Sequence, residues 1–123
     1  MTHGLEGPAK RLNAFVGEDA TYSDKPLYQA LIDQARTQGC AGATALRGMV
    51  GYGSSSRDVV KHGLRMSTDC PVMVTVVDEP QRITALAAVW SAMIPAGLVT
   101  VEDIKVVHYR GEGDGDELSP TCD

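Results

Sequence analysis

The chain has 123 residues, 43% of them apolar and 22% charged, with a formal net charge of −5. That length suits one domain able to bury a core without metals or disulfides, and no apolar run reaches the length of a membrane span. Of the 16 acids, Glu112, Asp114, Asp116, Glu117 and Asp123 sit in residues 111–123 without a base, leaving 11 acids against 11 bases before them; a neutral domain of this kind argues against nucleic-acid binding.

Residues 1–8, Met-Thr-His-Gly-Leu-Glu-Gly-Pro, lack the charged start and apolar stretch of a signal peptide. They read as a loose leader, and a cytoplasmic location with no direct membrane insertion is expected. Lys10–Gly17 alternates, with Leu12, Ala14 and Val16 on one face, and predicts a strand. Glu18–Asp24 is a polar connection in which Ser23 or Asp24 is a candidate helix cap, with Pro26 in the first turn. Leu27, Leu31 and Ala35, widened by Tyr28 and Ile32, form one helical face, and Gly39 is placed to end the helix in a left-handed cap.

Ala43–Val50 predicts a second strand and Gly51–Met66 a long polar loop. Within that loop Arg57, Lys61 and Arg65 outnumber Asp58, which makes a local positive patch. Pro71–Val77 is a third strand, β-branched or apolar from Val72 onward. Asp78 is a possible cap for a second helix with Pro80 early in it. Ile83, Leu86, Ala87, Trp90 and Met93 or Ile94 follow at helical spacing, and Pro95 and Gly97 stop the helix. Val101–Tyr109 predicts the last strand. The acidic, Gly-rich segment 111–123 reads as a disordered tail.

Strand, helix, strand, strand, helix, strand is the split βαβ, ferredoxin-like order of an α+β fold. Such an antiparallel sheet carries two helices on one face, and the other face must be covered by something. Arg11, Asn13 and Phe15 alternate with Leu12 and Ala14, so apolar residues occur on both faces. Self-association through the bare sheet face is the economical solution.

The densest chemistry lies in Gly42–Arg57, where a strand runs into glycines and serines with an arginine at each end. Gly48, Gly51 and Gly53 let the backbone approach a ligand closely, and consecutive amides there can cradle an anion. A plain loop leaving a strand accounts for the same residues. The segment is neither a Walker A motif nor a Rossmann fingerprint. Arg47 suits a phosphate or a neighbouring carboxylate, and equally a surface salt bridge. His108 and Arg110 share a face of the last predicted strand, where they form a phosphate grip or a solvated strand end.

Other chemistry is thin. His3, His62 and His108 are far apart and lack metal-ligand spacing. Cys40, Cys70 and Cys122 form no C-x-x-C pair and suggest neither a zinc site nor a disulfide framework. Ser54, Ser55 and Ser56 have no evident base, so no catalytic residue is assigned and the chain is not expected to be an enzyme.

Pro26–Ile32, Gly39–Gly48, Gly51-Tyr52-Gly53, Pro71–Asp78 and Gly97–Thr100 together resemble an uncharacterised family (domain of unknown function, number 190) in the PII-like superfamily. The resemblance runs from about Lys10 to Arg110. It implies a ferredoxin-like subunit, residues 9–110, in a PII-like homotrimer with sheets packed about a three-fold axis. It makes residues 51–66 the counterpart of the mobile T-loop, which contacts targets in PII-like proteins. Gly51-Tyr52-Gly53 looks like the Gly-Phe-Gly at the base of that loop. His108 and Arg110 resemble basic phosphate-contacting residues.

One departure stands out. True PII proteins carry a second phosphate loop before the last strand, whereas this chain reads Gly97-Leu-Val-Thr-Val-Glu-Asp103 there, so ATP and 2-oxoglutarate binding do not follow.

The expectation is a signalling protein that binds an adenine nucleotide between subunits, AMP or ADP first, with ATP as a further candidate ligand. Arg47, Gly48, Gly51, Tyr52, Gly53, His108 and Arg110 are the candidate nucleotide-binding residues. Ser54, Ser55, Ser56, Arg57, Lys61, His62 and Arg65 are the candidates for contact with a regulated partner such as a membrane transporter. Two rivals remain: a ligand-independent interaction module, and a small phosphate-ester hydrolase.

Overall fold

The computed structural model describes residues 5–49 and 70–111. Strands β1 (Gly7–Gly17), β4 (Thr44–Arg47), β5 (Pro71–Asp78) and β6 (Leu98–Val106) form one sheet in the order β4-β5-β1-β6. All its pairings are antiparallel. Helices α1 (Leu27–Thr37) and α2 (Pro80–Met93) cover one face, and a hairpin of β2 (Thr21–Tyr22) and β3 (Lys25–Pro26) precedes α1. This is the expected ferredoxin-like order, with the hairpin added.

Period-two alternation sets the core. Leu12, Ala14 and Val16 of β1 and Val72, Val74 and Val76 of β5 point to the helices, where they meet Leu27, Ala30, Leu31, Ala35, Ile83, Leu86, Trp90 and Met93. Trp90 is fully buried, and its indole N–H donates to the Leu31 carbonyl at 3.1 Å. That bond ties α2 to α1 and satisfies the ring's one polar atom.

Helix α1 ends as expected. Gly39 has φ +83°, its amide donates to Arg36 O at 3.0 Å, and the Cys40 amide donates to Ala35 O at 3.0 Å. These two bonds are the Schellman pattern, which glycine permits at its left-handed position. The helix begins differently from expectation. Ser23 and Asp24 do not cap it; both have positive φ, 50° and 67°, and form the two-residue turn between β2 and β3. Positive φ at both central positions is the type I′ geometry that matches strand twist. Pro26 takes the cap position, with no side-chain cap bond.

The last strand is shifted from Val101–Tyr109 to Leu98–Val106. A Cβ on Gly97 would lie 2.7 Å from Phe15 O, so only glycine lets the chain pass close enough for Leu98 to pair with Phe15. The strand stops at Val106 because its partner Gly7 is the first residue of β1. The second strand is shorter than Ala43–Val50, running from Thr44 to Arg47.

The face away from the helices is ordered in rows by the strand register. Leu46, Met73, Phe15 and Leu98 lie side by side across all four strands. Next comes a polar row of Thr44, Thr75, Asn13 and Thr100. Beyond it Arg11 pairs with Glu102, Nη2 to Oε2 at 2.6 Å. Leu46 and Leu98 are more than half exposed, at 53% and 56%. Within the chain this apolar row has no cover among the described residues.

Candidate functional site

One corner of the sheet is built where β4 ends and β5 begins. Arg47 pairs in register with Val72, which pairs with Val16 near the end of β1. The Gly48 amide donates to Pro71 O at 2.7 Å. A Cβ on Gly48 would sit 2.9 Å from Pro71 Cγ, so the glycine is needed for close approach. Glu18, just past β1, reaches both strands: its amide donates to Cys70 O at 2.8 Å, and its carboxylate accepts from Arg47 Nε at 3.2 Å. Glu18, and after it Cys70, push the Arg47 guanidinium further up from its already high value.

The opposite corner holds the segment after β6. His108 and Arg110 do not lie on the last strand, which ends at Val106. They are held past its end by Glu6, whose carboxylate accepts from the Tyr109 amide at 2.9 Å and lies 3.9 Å from His108 Nδ1. Arg110 is exposed.

The register places the two corners diagonally across the sheet. Nine residues of β1 separate Val16, level with Arg47, from Gly7, level with Val106. At strand geometry that is about 30 Å along the sheet and about 14 Å across its three strand spacings. One chain therefore does not bring Arg47 and Gly48 together with His108 and Arg110. Gly51, Tyr52, Gly53, Ser54, Ser55, Ser56, Arg57, Lys61, His62 and Arg65 lie outside the described residues.

A third feature lies where α1 turns into β4. An open cleft of about 280 Å³ is lined by Ile32, Ala35, Arg36, Cys40, Ala41, Gly42 and Ala43. Its floor is anchored by Asp78, which is fully buried. The Asp78 carboxylate accepts from Ala41 N at 2.7 Å, Glu79 N at 2.7 Å and Arg82 Nε at 3.2 Å. Asp78 thus takes up the Glu79 amide at the start of α2 and also pins the loop that follows α1. Burial, then the Asp78 charge, pushes the Cys40 thiol up to about 11, so it stays protonated and inert at neutral pH.

Among the described residues no group of three His, Cys, Asp or Glu could hold a metal ion. Among the same residues no helix is long and apolar enough to cross a membrane.

The DUF190 family model, described as "Uncharacterized ACR, COG1993", matches residues 9–106. The chain belongs to this family. It is 33% identical over 100 residues to a UPF0166 protein of Aquifex aeolicus, covering 80% of this chain and 93% of that one. A UPF0166 protein of Methanocaldococcus jannaschii is 28% identical over 106 residues, covering 85% and 94%. The fold is that of PII-like proteins. CPII from Thiomonas intermedia K12, a nitrogen regulatory PII-like protein, matches in its apo form with a TM-score of 0.55 and 18% identity, covering 80% of this chain and 91% of CPII. CPII bound to ADP, AMP and bicarbonate matches with a TM-score of 0.56 and 19% identity, covering 82% and 90%. At such identities the likeness is one of fold.

Sequence reasoning singled out Arg47 and His108 but missed the carboxylates facing them. Glu18 and Glu6 read as ordinary polar residues, and nothing in their spacing announces a partner 29 or 102 residues away. Asp78 was expected as the cap of α2, but the cap position is taken by Glu79, with no side-chain cap bond; Asp78 stands one residue earlier and accepts from the Glu79 amide. Its hold on Ala41 was not legible, since that depends on how α1 and β5 pack.

Proposed function

We propose that this family member is a PII-like regulatory protein rather than an enzyme: a cytoplasmic homotrimer that binds AMP, ADP or ATP between subunits and acts on a partner protein. The diagonal placement of the two cationic corners carries the reading. A ligand that uses Arg47 and Gly48 from one subunit can reach His108 and Arg110 only on another. The apolar row Leu46, Met73, Phe15 and Leu98 supplies a reason for subunits to meet. Covering the exposed parts of such side chains contributes about 1 kcal/mol each. The nucleotides bound to CPII, a protein of the same fold, support the choice of ligand class.

In this reading the regulatory domain takes in residues 9–110 together with Leu5, which is buried, and Gly7 and Pro8, which open β1 although the sequence placed them in a loose leader. Gly51, Tyr52 and Gly53 complete the phosphate contacts, and Ser54 to Arg65 meet the partner, for which a membrane transporter is a candidate. Calorimetric titration with AMP, ADP and ATP tests the ligand; no binding at millimolar concentration refutes it. Native mass spectrometry tests the assembly. Trimers are expected, and Phe15→Asp with Leu46→Asp is expected to give monomers. A monomeric wild-type protein refutes the trimer.

A second reading, a ligand-independent interaction module, is favoured by one observation. Arg47 and His108 each already face a carboxylate of their own subunit, Glu18 and Glu6. It predicts partner capture that is the same with and without nucleotide.

A further inference from the structure

The carboxylate beside Arg47 has a geometry that bears on binding itself. Arg47 is the last residue of β4, its side chain is 61% exposed, and its ion-pair partner is Glu18, Nε to Oε1 at 3.2 Å. Glu18 does not hang free. Its own amide donates to Cys70 O at 2.8 Å, which fixes the backbone from which the carboxylate reaches Arg47. The Gly48 amide is fixed in turn to Pro71 O. The backbone around the pair is therefore tied at both strands, while the pair itself is made through Nε, with the Arg47 side chain 61% and the Glu18 side chain 26% exposed and Cys70 also beside the guanidinium. Two-pronged binding of a phosphate to a guanidinium is stronger than such a contact.

We propose that Glu18 is a built-in anionic competitor for Arg47, and that a phosphate-bearing ligand binds at this corner by displacing the Glu18 carboxylate. The inference rests on the nucleotide reading above and adds a residue that tunes its affinity. Glu18 occupies the place of the incoming anion when the site is empty, keeps Arg47 at the rim, and lowers the affinity for the ligand by the strength of the pair. Exposed pairs of this kind are weak, which fixes the size of the effect at about 1.5- to 5-fold. A lowered affinity places half-saturation at a higher ligand concentration, which suits a protein that reports a concentration.

The test is calorimetric titration of the full chain with ADP and with AMP, using wild type, Glu18→Gln, Arg47→Gln and the double variant. Glu18→Gln keeps the backbone bond to Cys70 O, and thermal unfolding checks that it folds. Glu18→Gln is expected to bind about 1.5- to 5-fold more tightly, and the gain is expected to vanish when Arg47 is also replaced. Equal or weaker binding by Glu18→Gln overturns it while leaving the nucleotide reading intact. No binding of ADP or AMP by either protein overturns both. A gain that persists in the double variant also overturns it, because the carboxylate then acts on something other than Arg47.

Discussion

Asp78→Ala removes a fully buried carboxylate that joins three parts of the chain: the loop at Ala41, the start of α2 at Glu79, and Arg82 one turn on. Two backbone amides lose their acceptor, and a half-buried guanidinium loses its counter-charge. Each hydrogen bond to a charged group contributes about 1.5–3 kcal/mol, and breaking a buried ion pair costs about 3–5 kcal/mol. Because the Arg82 side chain is 34% exposed, water compensates part of its loss, and about 3–5 kcal/mol is the expected total. That is a large share of the ~5–15 kcal/mol of a typical domain. Asp78→Asn keeps one acceptor oxygen and is expected to lose about 1.5–3 kcal/mol. Urea denaturation at one fixed protomer concentration measures both, since assembly makes stability concentration-dependent. An Asp78→Ala protein within about 1 kcal/mol of wild type, or no worse than Asp78→Asn, refutes the assignment of Asp78 as the clamp between the helix layer and the loop.

Three further outcomes follow from the same contacts. Gly48→Ala places a Cβ 2.9 Å from Pro71 Cγ and 3.3 Å from Pro71 O and is expected to cost about 1–3 kcal/mol in urea denaturation, since the closed Pro71 ring is tethered to its backbone and yields little. Trp90→Phe leaves the Leu31 carbonyl without its indole donor and opens a small cavity; about 2–4 kcal/mol is expected, read by thermal unfolding. Cys40 is expected to resist alkylation at pH 8. Its thiol titrates at about 11 when folded against 9.0 as a free thiol, so its contribution to stability is complete below pH 9 and is lost as pH rises toward 11; Cys40→Ser removes that slope in a pH series of denaturation midpoints.

How much of this was legible differs from element to element. The core strands and both helices were, because period-two and period-3.6 patterns depend only on which side chains avoid water. Gly39 was legible as a cap for the same local reason. The small hairpin was not, because Ser and Asp suit both a helix cap and a tight turn, and only the positive φ of Ser23 and Asp24 separates the two. The limits of β6 were misplaced because they are set by its partner: Phe15 O passes against Gly97 at one end and Gly7 ends the pairing at the other. Arg47, His108 and Arg110 stood out by residue type, yet the sequence held no measure of their separation.

The sequence by itself determined the ferredoxin-like order, the two-helix layer and the family resemblance, since each rests on local periodicity or contiguous motifs. Only the tertiary structure decided what Arg47 and His108 face. Register across four strands put Arg47 and His108 at opposite corners of one sheet, and chain folding brought Glu18 and Glu6 beside them. Contacts between residues far apart in the chain depend on strand pairing and packing, and those are properties of the assembled core.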